Sequence, residues 1–278
     1  MPDPSAVDAV ASDATDAAAV FVDLREEGRE LDWLVGELPE GDWARATPAA
    51  GWSIAHQIAY LHWTDRAALL SLTDAAGFGR MVEEEALKAP DSFVDEGAEE
   101  GAALPPAELL ARWRAGRAAL DEALAAASPD TRFPWYGPPM KAASMASARL
   151  METWAHGQDV ADALGVRRAP TARLRHVARI GVRARDYAYA VRGLPAPAAE
   201  FRVELAVPGG SGVWAYGPPD AAQRITGPAL DFCLLVTQRA HRADLALTAT
   251  GPDADAWLDI AQAFAGPAGP GRAPEAGR

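Results

Sequence analysis

The sequence predicts a mostly α protein, a four-helix bundle followed by a small α+β domain, and three observations carry that expectation. Four long segments in the first 165 residues repeat their apolar side chains at spacings of three and four, as helices with one buried face do. From Phe201 the texture changes to the period-two alternation of strands, punctuated by Pro and Gly turns. The length, 278 residues with 49% hydrophobic and 23% charged side chains, suffices for one large domain or two small ones with a sizeable core.

Residues 1–15, acidic and lacking large apolar side chains apart from two valines, are expected to be disordered, and the bundle to occupy 16–168. Its first helix carries Val20, Leu24, Leu31, Leu34, Val35 and Leu38 and is stopped by Pro39. The second starts after Ser53, a good N-cap, and carries Ile54, Ile58, Leu61, Ala68 and Leu69. Pro105 and Pro106 sit where a helix start tolerates them, and Leu109, Leu110, Trp113, Leu120 and Leu124 follow as the third. The fourth runs from Met140 to Leu164, broken only by Gly157, with Gly165 as its C-cap. Between the second and third helices, Glu83 to Glu85, Asp91, Asp95, Glu96, Glu99 and Glu100 lie among Gly, Pro and Ala. This acidic run reads as a solvated loop that crosses or caps the bundle, without the spacing of a calcium-binding EF-hand.

The α+β domain is expected over 170–267. It comprises a helix from Thr171 to Val191, strands at 201–207, 213–216 and 223–226, a helix over 228–238, an alternating segment at 243–248 and a closing helix over 253–265. Residues 268–278, rich in Pro and Gly, are expected to be a disordered tail.

Charge and composition narrow the function. A net charge of −13 and a pI near 4.8 repel phosphate backbones and anionic lipid surfaces, so neither nucleic acid nor a membrane is an expected partner. The charge is uneven: residues 1–100 carry 6 basic and 22 acidic groups, the remainder 20 and 17, so the two parts can attract each other. No window approaches the roughly 18 apolar residues of a membrane span, the N-terminus lacks a secretory signal, and a single cysteine excludes an intrachain disulfide. The expected setting is the cytoplasm and the expected partner a small-molecule substrate. Cys233, in an apolar helix with no neighbouring base, reads as a buried structural thiol.

The chemistry concentrates in two segments. In Glu152-Thr153-Trp154-Ala155-His156-Gly157-Gln158-Asp159, Glu152 and His156 are four apart and share a helix face, so an oxygen and a nitrogen can meet one cation inside the bundle. Asp159, one turn on, is placed to hold the second ring nitrogen of His156 or to cap a neighbour. An ordinary Glu–His pair on a helix surface has the same spacing. In Trp52-Ser53-Ile54-Ala55-His56-Gln57-Ile58-Ala59-Tyr60-Leu61-His62, His56 and Tyr60 share a face, while His62 points about a third of a turn away. His176 and His241, each among arginines, read as surface residues, and Arg239 and Arg242 as charges at a helix end.

Together with Trp135-Tyr136-Gly137-Pro138-Pro139-Met140 and the α+β segment, these stretches resemble the DinB-like superfamily, and within it the mycothiol-dependent maleylpyruvate isomerase family, specifically its metal-binding branch. The resemblance covers most of residues 16–267. It implies a four-helix bundle holding a divalent cation, usually zinc, with Glu152 and His156 as ligands. In the family the third ligand is a histidine eight residues after the tryptophan of the Gly-Trp motif, and here that position is Tyr60. Three readings follow: His56 substitutes after a shift of about 6 Å, Tyr60 binds as phenolate, or the site is weak or empty. His56 is taken as the third ligand, with Tyr60 and His56 as the catalytic acid–base candidates. The activity implied is a metal-dependent, thiol-assisted isomerisation or thiol transfer on a small electrophile, with mycothiol or a similar low-molecular-weight thiol as cosubstrate. The alternative is a metal-free or metal-weak bundle that binds or cyclises a small secondary metabolite.

Overall fold

The computed structural model describes the backbone of residues 4–88, 92–269 and 271–275, and the side chains of these except 4–18 and 86–88. The chain divides into two compact units, 1–167 and 168–278. In the first, α1 spans Pro4–Val35, α2 Ile54–Thr73, α3 Ala75–Lys88, α4 Phe93–Ala102 and α5 Pro106–Ala126. A two-stranded hairpin, β1 Arg132–Phe133 and β2 Met140–Lys141, precedes α6, Ala142–Leu164, which Gly165 ends in the left-handed conformation at φ 67°.

Helices α1, α2, α5 and α6 form the bundle: α2 packs on α5 and α6, and α1 on α6 and α5. Ile54, Ile58 and Leu61 of α2 share one buried cluster with Leu31, Leu34 and Val35 of α1, Leu109 and Trp113 of α5, and Val160 of α6. Each set recurs at three or four residues, so burying one stripe per helix holds the bundle together, at about 1.5–3 kcal/mol for a fully buried large aliphatic side chain.

Two expectations are corrected in this unit. Helical backbone begins at Pro4, so residues 4–15 are not irregular; their Ala content favours helix, while residues 1–3 lie outside the described residues. The acidic run is not a loop: Glu83 to Glu85 lie on α3 and Asp95, Glu96, Glu99 and Glu100 on α4, with Asp91 outside the described residues. Helix α4 packs closely on α2, and glycine makes that approach possible. A Cβ on Gly97 would come 2.9 Å from the Trp63 ring, and one on Gly101 2.7 Å from the Ala59 Cβ. Gly101→Val is therefore expected to push α4 off α2 at an overpacking cost of about 1–3 kcal/mol. Hydrogen exchange in α4 should speed up; unchanged exchange would show that the contact is not needed.

In the second unit, α7 (Leu174–Arg183) and α8 (Arg185–Ala190) precede β3 (Phe201–Ala206), β4 (Val213–Tyr216) and β5 (Gln223–Pro228). Then follow α9 (Ala229–Val236), β6 (Thr248–Thr250) and α10 (Pro252–Leu258). The sheet order is β4-β3-β5-β6, with β3 and β5 parallel and the other pairs antiparallel. Strand β3 alternates as a one-face-buried strand should: Phe201, Val203 and Leu205 are buried, and Arg202 and Glu204 face the other way.

Local turns account for the differences from expectation here. The helix expected over 171–191 divides at Ala184 into α7 and α8. The segment expected to alternate at 243–248 contains a 3-10 turn, Arg242–Asp244, capped by the His241 ring, whose Nδ1 accepts the Ala243 N–H at 3.1 Å; the strand starts only at Thr248. The closing helix ends at Leu258 rather than 265, and Ala263 N–H donates instead to Val236 O at 2.7 Å. The tail forms no helix or strand among its described residues, although Glu275 N–H donates to Asp244 Oδ2 at 3.0 Å; residues 270 and 276–278 lie outside them. His176 is buried, not at the surface, because Leu174, Val177, Ala178 and Gly181 share a wide buried face of α7 with it. Among the described residues no helix is long and apolar enough to cross a membrane.

Candidate active site

The site is built on the facing sides of α2 and α6. Four residues separate Glu152 from His156, one helical turn, so both side chains leave α6 in the same direction. The result is a close pair: His156 Nε2 lies 3.2 Å from Glu152 Oε2, with the two side chains 11% and 17% exposed. Tyr60 reaches across from α2 and donates its hydroxyl to the same Glu152 Oε2 at 3.1 Å. Its ring lies 4.3 Å from that of His156, centroid to centroid, and Trp52 stacks on His156 at 5.9 Å. One carboxylate oxygen is thus shared by a phenol and an imidazole in a largely buried setting, where polar interactions are stronger than in water.

The second nitrogen of His156 is met from α2. His156 Nδ1 lies 2.5 Å from Gln57 Oε1, and Gln57 is fully buried. Asp159 is buried one turn further along α6. Sequence reasoning passed over Gln57; the available signal was a lone amide on α2 between the apolar positions Ile54, Ile58 and Leu61.

His56 is engaged elsewhere. It occupies the third position of α2, where its Nδ1 accepts the Ser53 backbone N–H at 3.2 Å and lies 2.8 Å from Ser53 Oγ, an arrangement like a capping box. Its Nε2 meets Glu99 Oε2 of α4 at 2.8 Å. Both ring nitrogens are therefore committed to partners outside the Glu152–His156 pair. His62 sits against Gly116 of α5, and burial, then Arg66 and Arg112, push its pKa down to about 4.

Beneath the site lies a buried ion pair. Arg149, one turn before Glu152, donates from Nε to Asp65 Oδ1 at 3.0 Å and from its terminal nitrogen to Thr64 Oγ1. Burial works against the charged guanidinium, but the carboxylates of Asp65 and Glu152 and the Tyr60 oxygen outweigh it and raise its pKa.

Around Tyr60 the wall is aromatic. Trp63 lies 6.3 Å from Tyr60 and stacks on Tyr136 at 6.0 Å, and Phe93 of α4 stacks on Tyr136 at 5.7 Å. Tyr136 donates to Glu85 Oε2 of α3 at 3.0 Å, and Trp52 Nε1 donates to Asp95 Oδ1 of α4 at 3.2 Å. The helices that the acidic run forms thus anchor the rim of the site.

Whether these donors suit zinc follows from their chemistry. A catalytic zinc takes three protein ligands from His, Cys, Asp or Glu. Glu152 and His156 supply two, His56 is occupied, and among the described residues no group of three or more such side chains is arranged to hold a metal ion. The described donors do not fit the three-ligand site that the resemblance implies, because the phenol of Tyr60 stands where the third ligand belongs.

Other candidates belong to the second unit. Cys233 is buried, and desolvation pushes its thiol pKa up. Arg242 is paired with Asp255 and, at 2.7 Å, with Asp259, while Arg239 donates to Thr237 O at 2.7 Å.

The sequence model of the mycothiol maleylpyruvate isomerase N-terminal domain matches residues 24–161, which contain every side chain of the site, and a model termed wyosine base formation matches 197–250. An uncharacterized protein of Mycobacterium tuberculosis, present in strains CDC 1551 / Oshkosh and ATCC 25618 / H37Rv, is 56% identical over 257 residues, 92% of this chain and 99% of its own. Crystal structures of a mycothiol-dependent maleylpyruvate isomerase and of a mutant form of it share the fold. Their TM-scores are 0.55 and 0.58 at 17% and 18% identity, over 85% of this chain and 95% of theirs. On these matches, residues 24–161 form a domain of the mycothiol maleylpyruvate isomerase N-terminal family, and the chain has the DinB-like fold of the two isomerase structures.

Proposed function

We propose that this protein is an enzyme of thiol-assisted isomerisation, converting a small, carbonyl-activated alkene between its two geometries through Tyr60, Glu152 and His156. The observation that carries the reading is the shared Glu152 oxygen: a proton acceptor, a ring that can take a proton and a hydroxyl donor meet at one buried point. A thiol cosubstrate supplies reversible addition to the double bond, which leaves a single bond free to rotate before elimination returns thiol and isomer. The Glu152–His156 pair accepts the thiol proton and so releases the thiolate, which a free thiol near its ordinary pKa of about 8.5 yields only in part at neutral pH. As the carbon–sulfur bond forms, the π electron pair moves to the carbonyl oxygen, and the Tyr60 hydroxyl donates a hydrogen bond to that enolate. When the pair returns, the carbon–sulfur bond breaks and the thiolate recovers its proton from the Glu152–His156 pair. Nothing is oxidised or reduced, and the thiol is regenerated.

The test is turnover of maleylpyruvate, the substrate in the family's name, by purified protein with and without mycothiol. Thiol-dependent cis-to-trans conversion is expected, and His156→Ala should slow it by about 10²- to 10⁴-fold, the usual loss on removing a positioned acid or base. Conversion that ignores the thiol, or that survives His156→Ala unchanged, would overturn the reading.

A further inference from the structure

We propose that the half-buried aromatic surface beside Tyr60 determines specificity, and that it takes the flat, uncharged aryl end of a carbonyl-activated alkene. The proposal rests on the reading of Tyr60, Glu152 and His156 as the reacting groups and names the class of substrate that suits them.

Trp63 of α2, Phe93 of α4 and Tyr136 of the turn between β1 and β2 meet as a triangle of rings, with Trp63–Phe93, Trp63–Tyr136 and Phe93–Tyr136 centroids 5.8, 6.0 and 5.7 Å apart. Tyr60 adjoins it, 6.3 Å from Trp63, while its hydroxyl meets Glu152, so the triangle is continuous with the reacting groups. Each of these four rings is half-buried, in contrast to Phe78, which also touches Tyr136 and is 2% exposed. A cluster that served stability alone would close over its apolar surface as Phe78 does. This one leaves ring surface open at the edge of the site, and small-molecule pockets are lined mainly by such apolar and aromatic side chains.

The polar ends of the rings decide what they can recognise. An indole N–H or a phenol O–H has one proton to give. Tyr136 gives its proton to Glu85 Oε2 at 3.0 Å, and Trp52, 5.6 Å from Tyr60, gives its own to Asp95 Oδ1 at 3.2 Å. Burial raises the Glu85 pKa, while hydrogen bonds from Tyr136 and Trp63 work against it and favour the carboxylate. With these donors spent on α3 and α4, the triangle has ring faces and edges to offer and no proton for a substrate anion. Glu85 and Asp95 also place negative charge beside it, which a substrate carboxylate would meet at a cost. An uncharged aryl group makes neither demand. It gains from the area it covers, and each ring pair adds to that gain.

Three ketones test the surface without any turnover: benzylacetone, butanone and levulinate, which carry a phenyl group, nothing and a carboxylate at the corresponding carbon. Benzylacetone should bind about 10- to 100-fold more tightly than butanone, the difference a buried phenyl group makes, and should shift the Trp63 indole N–H signal in nitrogen-15 correlation spectra. Levulinate should bind no better than butanone. Phe93→Ala and Trp63→Leu should each cut the phenyl preference by about threefold or more. Equal binding of benzylacetone and butanone, tighter binding of levulinate, or a phenyl preference unmoved in both variants would overturn the proposal; should Trp63→Leu fail to fold, Phe93→Ala decides. With mycothiol present, cis-benzylideneacetone, the alkene that corresponds to benzylacetone, should be isomerised with a kcat/KM about tenfold or more above that of maleylpyruvate. Turnover of maleylpyruvate alone would overturn the proposal while leaving the thiol-assisted activity standing. A phenyl preference in binding with turnover of neither alkene would support the aryl surface and defeat the isomerase reading, so the two failures are separate results.

Discussion

Arg149→Met is expected to destabilise the N-terminal unit by about 3–5 kcal/mol, the usual cost of removing one partner of a buried ion pair. The pair is buried on both sides, with Arg149 2% and Asp65 4% exposed, so solvent cannot replace the lost guanidinium. Asp65 would be left as a carboxylate whose pKa burial already pushes up even with Arg149 present. A raised carboxyl pKa gives stability that is present at low pH and lost as pH rises through the folded-state value, because the buried group can stay protonated only in acid. The deficit of the variant should therefore shrink at acidic pH and grow above it. Adding Asp65→Leu should recover most of the loss at neutral pH, since two apolar groups of similar volume replace a pair with a large desolvation cost. Urea unfolding followed at the bundle tryptophans would measure each term. A single variant within 1 kcal/mol of wild type would show that the pair does not support the bundle.

What the sequence made legible follows a physical line. The four bundle helices could be read because their core residues repeat at three and four, and the fold buries those stripes in one cluster. Strand β3 could be read because one of its faces is buried, which enforces alternation. Helices α3 and α4 could not. Both lie in the acidic run among Gly, Pro and Ala, and the glycines that let α4 approach α2, Gly97 against Trp63 and Gly101 against Ala59, look in sequence like loop glycines. The site divides in the same way. Glu152, His156 and Tyr60 carry chemistry at helical spacing, and they do meet. His56 has the same spacing to Tyr60, but its place three residues after Ser53 makes it a capping partner, a pattern visible in Ser53-Ile54-Ala55-His56. Gln57 shows its role only when α2 faces α6, because an amide has no ligand signature of its own.

Tyr60→Phe is expected to lower turnover by about 10²- to 10⁴-fold while leaving the affinity for substrate little changed. The ring would keep its contacts with His156 at 4.3 Å and Trp52 at 5.6 Å, so only the hydroxyl that meets Glu152 is lost. If the enolate oxygen receives a hydrogen bond from Tyr60, the loss belongs to the transition state and appears in kcat rather than KM. Tyr60→His asks a different question at the same position. A neutral imidazole facing Glu152 and His156 completes a set of three ordinary zinc ligands, whereas the native phenol must lose a proton with a free pKa of about 10 before it can coordinate. Zinc affinity, measured by competition with a chromogenic chelator, should therefore rise at least tenfold in Tyr60→His, and turnover through the acid–base route should fall with the hydroxyl. Wild type that binds zinc as tightly as Tyr60→His would show that the phenol ligates as well as the histidine it stands in for. Equal turnover in wild type and Tyr60→Phe would remove the hydroxyl from the reaction and leave Glu152 and His156 to carry it alone.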